Sequence, residues 1–265
     1  MPTGNRGPQG ALGAPDVRGP EGAGPTARGR SSCLAELAWP EVPARSVLAV
    51  PLGSCEQHGP HLPLDTDTRI AVACAGRLAD AEDGVVVAPP VTVGASGEHA
   101  GFPGTLSIGT EALVGLLVEL VRSALPPPGA DLPRPFGGVV LVNGHGGNVE
   151  AVTVATERLR DEARAVLAWH PRVAGGDSHA GRTETSLLLH LCPEVVRTDL
   201  LAPGSTARWR DIGPVVREHG LAAVTPGGVL GDPTGATAAE GESVLAHLVA
   251  DLSAAVRGWR ATLDG

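Results

Sequence analysis

Four short apolar runs constrain this chain more than any other feature. Residues 47–50, 84–88, 139–142 and 165–168 are built largely from Val, Ala and Leu and are too short for helices. Each reads as a strand covered on both faces, because a half-exposed strand would alternate apolar and polar side chains. The segments between them carry helical spacing. Residues 68–80 place Ile70, Ala73, Cys74 and Leu78 on one side, and 110–125 align Leu113, Leu116, Leu117, Leu120 and Val121. A third helix runs to about Arg164, with Asn148 as its N-cap. Residues 183–191 form a short helix stopped before Pro193, and 238–259 form the last one. The alternation predicts an α/β fold of three layers, α/β/α, with a mostly parallel central sheet. Sites in such folds lie beyond the carboxyl ends of the strands.

The 265 residues suffice for a sizeable core. Residues 1–32 are rich in Gly, Pro, Ala and Arg and hold almost no large apolar side chain, so they are expected to form a disordered tail before a single domain over 33–265. The segment 126–135 is a proline-rich, exposed insert, and 94–104 a glycine-rich loop. A formal charge of -9 with no basic run argues against nucleic acid and anionic membrane as partners. The chain has no lysine, which removes Schiff-base and P-loop chemistry. Cys33, Cys55, Cys74 and Cys192 show no paired spacing, so a reducing cytoplasm is the expected location. No stretch has the length of a membrane span, and no apolar signal region opens the chain.

Chemistry concentrates in three loops. Glu56, His58, His61, Asp65 and Asp67 crowd the segment that leaves the first strand, and such groups are expensive to desolvate without a partner. A divalent metal answers that need, and imidazole with carboxylate suits zinc, iron or manganese better than calcium. The third strand leads into Asn143-Gly144-His145-Gly146-Gly147-Asn148, whose glycines are expected to let the backbone turn sharply and bring His145 close to a ligand. The third segment sets His179 before a helix and Glu184 in its first turn. Taken singly, the second loop could equally cradle a phosphate, and Glu184 could complement a helix dipole. The combination of Glu, His, Asp, His and Glu across three loops favours metal.

These segments also resemble a known family. The run 51–67, then Glu98-His99 followed by Phe102-Pro103-Gly104-Thr105, then 143–148, His179-Ala180-Gly181, Glu184-Thr185-Ser186 and Gly231-Asp232-Pro233, are similar to the signature of the creatininase family of metal-dependent amidohydrolases, in matching order. Within it, the wording from Glu56 to Ala71 and the Gly-Ala-Ser-Gly-Glu-His stretch at 94–99 look most like the branch associated with the mycofactocin pathway. That branch releases a modified C-terminal Val-Tyr unit from a ribosomal precursor peptide.

The resemblance implies two divalent ions, with Asp67 bridging, Glu56 and His145 completing one site, and His58 and Glu184 the other. It implies His179 as a proton shuttle, or else a residue that only orients a ligand. Glu98 and His99 are expected to line the pocket and contact the substrate, and His61 and Asp65 to structure the loop. Two departures separate the chain from creatininases proper. Gly147 stands where those enzymes carry a metal-binding Glu, and 173–178 lack the Trp that holds a flat ring, leaving Trp169 and Trp209 as the aromatics within reach. The competing readings are hydrolysis of a small cyclic amide or formamide, and a non-catalytic metal-binding scaffold. A homo-oligomer, commonly a hexamer, is also implied.

Overall fold

A computed structural model describes residues 32–127 and 129–263. The expected tail over 1–32 therefore lies outside the described residues except for its last position. Four strands form: β1 (Ser46–Leu52), β2 (Val85–Val87), β3 (Phe136–Asn143) and β4 (Val166–Trp169). They pair entirely in parallel in the order β2-β1-β3-β4. Six α-helices accompany them: α1 (Thr66–Ala81), α2 (Thr110–Ala124), α3 (Val149–Asp161), α4 (Arg182–Leu191), α5 (Trp209–His219) and α6 (Ala238–Ala261).

Every residue of β1 is buried, as a strand covered on both faces requires. Successive side chains point to opposite faces, so the sheet divides two cores. Val47, Ala49, Val140 and Val142 meet Ile70, Cys74 and Leu78 of α1, Leu187 and Leu188 of α4, and Leu245, Leu248 and Leu252 of α6. Leu48, Val50, Leu52, Val139 and Leu141 meet Leu113, Leu117 and Val121 of α2 and Val152, Ala155 and Leu159 of α3. The result is the expected three-layer α/β/α arrangement.

The strand order places the site. The chain leaves β1 to one side for β2 and then crosses to β3 on the other. Neighbouring loops therefore part company at the ends of β1 and β3, which opens a crevice at that switch point. Register brings the two exits level: Leu52 pairs with Asn143, and Gly144 N–H donates to Leu52 O at 2.8 Å.

Several local expectations change. Helix α1 starts two residues early, so Asp67 is a buried first-turn helical residue. Asn148 occupies the N-cap position of α3 in helical conformation, but its side chain makes no cap bond. Leu116 falls off the apolar face and is 39% exposed, because 3.6-residue spacing carries it past Leu113 and Leu117. Pro126 is buried, although the insert after it is mostly exposed. Helix α5 was not anticipated: Pro214 lies inside it and four of its eleven residues are charged, which hides the short apolar stripe that buries Val216 beside Leu221 and Leu230.

The two α2 leucines test this packing. Leu117→Ala empties fully buried volume and should cost about 2–5 kcal/mol in urea denaturation. Leu116→Ala should change stability by no more than about 0.5 kcal/mol. Equal losses would place the helix wrongly.

Candidate metal centre

The segment after β1 is pinned at both ends. Glu56 N–H donates to Leu64 O at 3.0 Å, Cys55 bridges to Leu106, and His58 bridges to Leu62. These backbone pairings turn an apparent loop into a tight fold-back and bury Glu56 and His58 completely. His179 is seated by a reciprocal backbone pairing with Leu230. Ala180 then takes a left-handed conformation, φ 51°, which directs its N–H onto Glu184 Oε2 at 2.6 Å.

Asp67 stands at the centre. Its Oδ1 lies 3.1 Å from His58 Nε2, and its Oδ2 lies 2.9 Å from His145 Nδ1 while accepting from Ser54 Oγ at 2.8 Å. Glu56 Oε2 is 3.0 Å from His145 Nε2, and Glu56 Oε1 is 3.3 Å from His99 Nε2 and 3.7 Å from His179 Nδ1. Glu184 Oε2 approaches His58 Nε2 to 3.8 Å. Ligand atoms lie within 4.8 Å of one another in three groups: Glu56 with Asp67 and His145; His58 with Asp67 and Glu184; and Glu56 with His58 and His179.

Proton bookkeeping tests whether a cation fits. His58 Nδ1 faces the Glu56 carbonyl at 3.1 Å, which can only accept, so Nδ1 holds the ring proton. His145 Nε2 faces Ala95 O at 3.1 Å and holds its proton there. His179 Nε2 lies 2.8 Å from Gln57 O and does the same. In each neutral ring the other nitrogen is then a lone pair aimed at a carboxylate oxygen. Such contacts repel unless a proton or a metal ion lies between them. Both Glu56 oxygens are also buried without a hydrogen bond, since the nearby imidazoles lie off the required axis. The donor set and these orphaned oxygens fit a divalent cation.

The electrostatics describe the same imbalance in the metal-free protein. Burial raises Glu56 to about 8, helped by Asp67 and opposed by His145 and His58. Burial also raises Glu184, to about 7. Desolvation opposes charge on His58, yet Asp67 lifts it to about 10. His145 rises against its own burial to about 9 through the hydrogen bond to Asp67. Burial works against Asp67 too, but the two imidazoles hold it well below the usual carboxylate range. Desolvation with cationic neighbours drives His99 down to about 3 and His179 well below its ordinary value.

All the residues expected at the site are thus brought together, Glu98 by its carboxylate 3.9 Å from His145 Nε2. His61 and Asp65 do structural work: His61 Nε2 contacts Thr185 Oγ1 at 3.0 Å, and Asp65 pairs with Arg69 at 2.7 Å. Two glycines of the second loop, Gly144 and Gly147, serve space rather than turning, whereas a Cβ on Gly146 would meet nothing within 4 Å. None of Gly144, Gly146 and Gly147 has positive φ. A Cβ on Gly147 would stand 2.3 Å from Ala95 O and 2.5 Å from Glu98 Oε1, so Glu98 lies where a larger residue would have to go. Trp169 is a core residue whose indole donates to Asp251 at 2.7 Å, and half-exposed Trp209 lines neither of the two cavities near the site. The cavity reaching His145 and Glu184 measures about 240 Å³ and is walled by Ile70, Asn143, His170 and Leu187.

The roles of four residues at the site escaped the sequence reading. Ser54 supports Asp67, and Gln57 contacts His99 and His179. Asn143 donates to His145 O at 2.6 Å. Asn148 joins the loops after β1 and β3 to the 94–104 segment, accepting from Ala95 N at 2.9 Å and donating to Gly53 O at 2.9 Å and Asn143 Oδ1 at 3.1 Å. Their adjacency to the ionisable residues was the available signal, but uncharged side chains do not announce what they will touch.

Comparison with known proteins agrees with this geometry. Residues 35–256 match the creatininase family, described as creatinine amidohydrolase. A protein of Mycolicibacterium smegmatis named mycofactocin precursor peptide peptidase is 52% identical over 225 residues, covering 83% of this chain and 87% of that one. Two solved structures superpose well. One, described as "Creatininase Mn", has a TM-score of 0.70 at 27% identity, and the other, a mutant creatininase of "Zn-Zn type", has 0.69 at 28%. Each match covers 86% of this chain and 98% of the other. The chain belongs to the creatininase family, hydrolases that act on amide bonds.

Proposed function

We propose that this protein is a metal-dependent peptidase that releases the modified C-terminal Val-Tyr unit from the mycofactocin precursor peptide. The observation that carries the metal chemistry is the convergence of imidazole lone pairs and unbonded carboxylate oxygens in one buried cluster. The substrate assignment draws on the 52% identity to the Mycolicibacterium smegmatis peptidase. Asp67 offers one oxygen to each half of the site and so would bridge two divalent ions, zinc, iron or manganese. Glu56 and His145 would complete one position, and His58 and Glu184 the other. Ions held there supply Lewis acidity toward an amide carbonyl and make water a stronger acid.

The chain's own groups handle orientation and protons. Ser54 fixes the Asp67 carboxylate, and the Ala180 N–H fixes that of Glu184. His179 keeps one proton on Nε2 against Gln57 O, so its Nδ1 is the acceptor facing the carboxylates. From there it can take a proton and pass it to the leaving nitrogen. Glu98, 26% exposed at the rim of the cluster, contacts the substrate. The protein acts in the cytoplasm, where a ribosomal precursor is made. It assembles as a homo-oligomer, a reading supported by exposed apolar side chains such as Trp39, Leu106 and Leu132.

Four measurements test this. In calorimetry, the wild type should bind two equivalents of zinc and Asp67→Ala neither; retained hydrolysis by that variant would sink the two-metal scheme. His58 and His145 hold protons at neutral pH in the metal-free site, and bound metal must displace them. Affinity should therefore rise with pH up to about 10, as His145 near 9 and then His58 near 10 lose their protons, with protons released to buffer below that; affinity flat across the neutral to mildly alkaline range would contradict it. Mass spectrometry of the modified precursor should show loss of the Val-Tyr-derived fragment, abolished by chelation. Turnover of creatinine without peptide cleavage would keep the metal site and discard the substrate. Light scattering should give a multiple of the chain mass, and a monomer at micromolar concentration would refute the assembly.

A further inference from the structure

His170 follows the last residue of β4 and lines the cavity that reaches His145 and Glu184, yet it belongs to none of the three ligand groups. Its orientation follows from Asn143, a buried amide whose hydrogen-bonding capacity is fully assigned. Asn143 Oδ1 accepts from His145 N–H at 3.3 Å and from Asn148 Nδ2 at 3.1 Å. The second contact fixes the direction, because Asn148 is itself oriented by Ala95 N–H on its oxygen and Gly53 O on its nitrogen. Asn143 Nδ2 gives one hydrogen to His145 O at 2.6 Å, and its other hydrogen goes to His170 Nδ1 at 3.0 Å. His170 Nδ1 is therefore a lone pair, and the ring proton sits on Nε2. Burial, then the Arg172 charge, lowers the His170 pKa and keeps the ring neutral. The ring is half-buried, and no acceptor among the described residues meets its Nε2–H. A donor is thus left over at the wall of the cavity.

One side of that wall is aliphatic. Ile70 of α1, Leu187 of α4 and Leu248 of α6 contribute to it, and all three belong to the closed core on that face of the sheet. The cavity begins at the cluster and ends against packed side chains. Its volume is about 240 Å³. Drug-sized ligands occupy roughly 300–1,000 Å³, so this cavity takes one side chain with its adjoining backbone and no longer stretch of peptide. An aliphatic side chain suits the wall, and a carbonyl oxygen suits the unmatched N–H.

We propose that this cavity is the subsite for the valine-derived residue of the released unit, with His170 as its specificity-determining donor. Release of a Val-Tyr unit breaks the amide on the valine nitrogen. With that amide beside His145 and Glu184, the isopropyl group lies against Ile70, Leu187 and Leu248, and the valine carbonyl oxygen accepts from His170 Nε2–H. This hydrogen bond forms on the leaving side of the scissile bond and leaves the reacting carbonyl alone. It therefore contributes equally to substrate and transition-state binding. The identity of the released unit rests on the peptidase reading above. The fit to an aliphatic residue bearing a carbonyl rests on the cavity itself.

Nitrogen-15 spectra of the histidines in the full-length protein with zinc read the contact directly. The probe is valinamide, which carries the amine, the isopropyl group and the carbonyl. The His170 Nε2–H signal should shift as valinamide is added, and isobutylamine, which lacks the carbonyl, should leave it in place. His170→Asn keeps an acceptor for Asn143 but loses the far donor. With the precursor peptide it should raise KM about 3–10-fold with kcat little changed. His170→Gln, which restores an N–H at the far position, should recover most of that loss, and both variants should bind zinc as the wild type does. An unmoved His170 signal, or wild-type KM in His170→Asn, would overturn the assignment. So would weakened zinc binding in both variants, which would reduce His170 to a support for the His145 loop. A precursor left uncut by a protein whose His170 signal still responds to valinamide would sink the peptidase reading and leave the subsite standing.

Discussion

The arrangement of Asp67 between His58 and His145 governs everything else at this site. A carboxylate taken wholly out of water is costly unless opposite charge compensates it. Here each oxygen faces an imidazole nitrogen near 3 Å, and Ser54 adds a hydrogen bond. The compensation transmits outward. Each imidazole has its far nitrogen committed to a main-chain carbonyl, Glu56 O for His58 and Ala95 O for His145. Ring orientation is therefore set by backbone, and the lone pairs that remain converge on one small volume.

That convergence is a built-in conflict. A core of neutral imidazoles and carboxylates at these distances would repel itself, so the metal-free protein gathers protons where cations belong. Raised His58 and His145, together with raised Glu56 and Glu184, express this one deficit. The fold sustains it because the centre rests on the ends of two central strands between two closed apolar cores. It also accepts backbone strain: Ala180, not glycine, adopts the left-handed region at roughly 1–2 kcal/mol, and in return its N–H reaches Glu184.

Neutral residues hold the charged ones together. Asn148 bonds to the loops after β1 and β3 and to the 94–104 segment, which explains why it is not spent on capping α3. Gly147 is small because Ala95 O and Glu98 already occupy the space beside it. Absence of a side chain there and presence of a carboxylate at 98 are one steric fact seen from two segments.

The chain's primary structure sufficed for the α/β class, the ends of most elements and the ionisable residues of the centre. Continuous Val-rich runs can satisfy both faces only in a covered parallel sheet, and clustered His and carboxylate beside a buried strand demand a cation. It could not reveal helix α5, whose proline and charges mask a stripe that only packing against Leu221 and Leu230 makes meaningful. Nor could it assign Asn148, Gly147 or Gln57, because a neutral side chain has no preferred partner until distant segments meet it. Gln57 and Gly228 lie 171 positions apart, and their contact exists only because the strand order returns both segments to one crevice. Composition and spacing selected the chemistry, and tertiary structure alone decided which nitrogen of each imidazole carries the proton, since that depends on which carbonyl stands opposite.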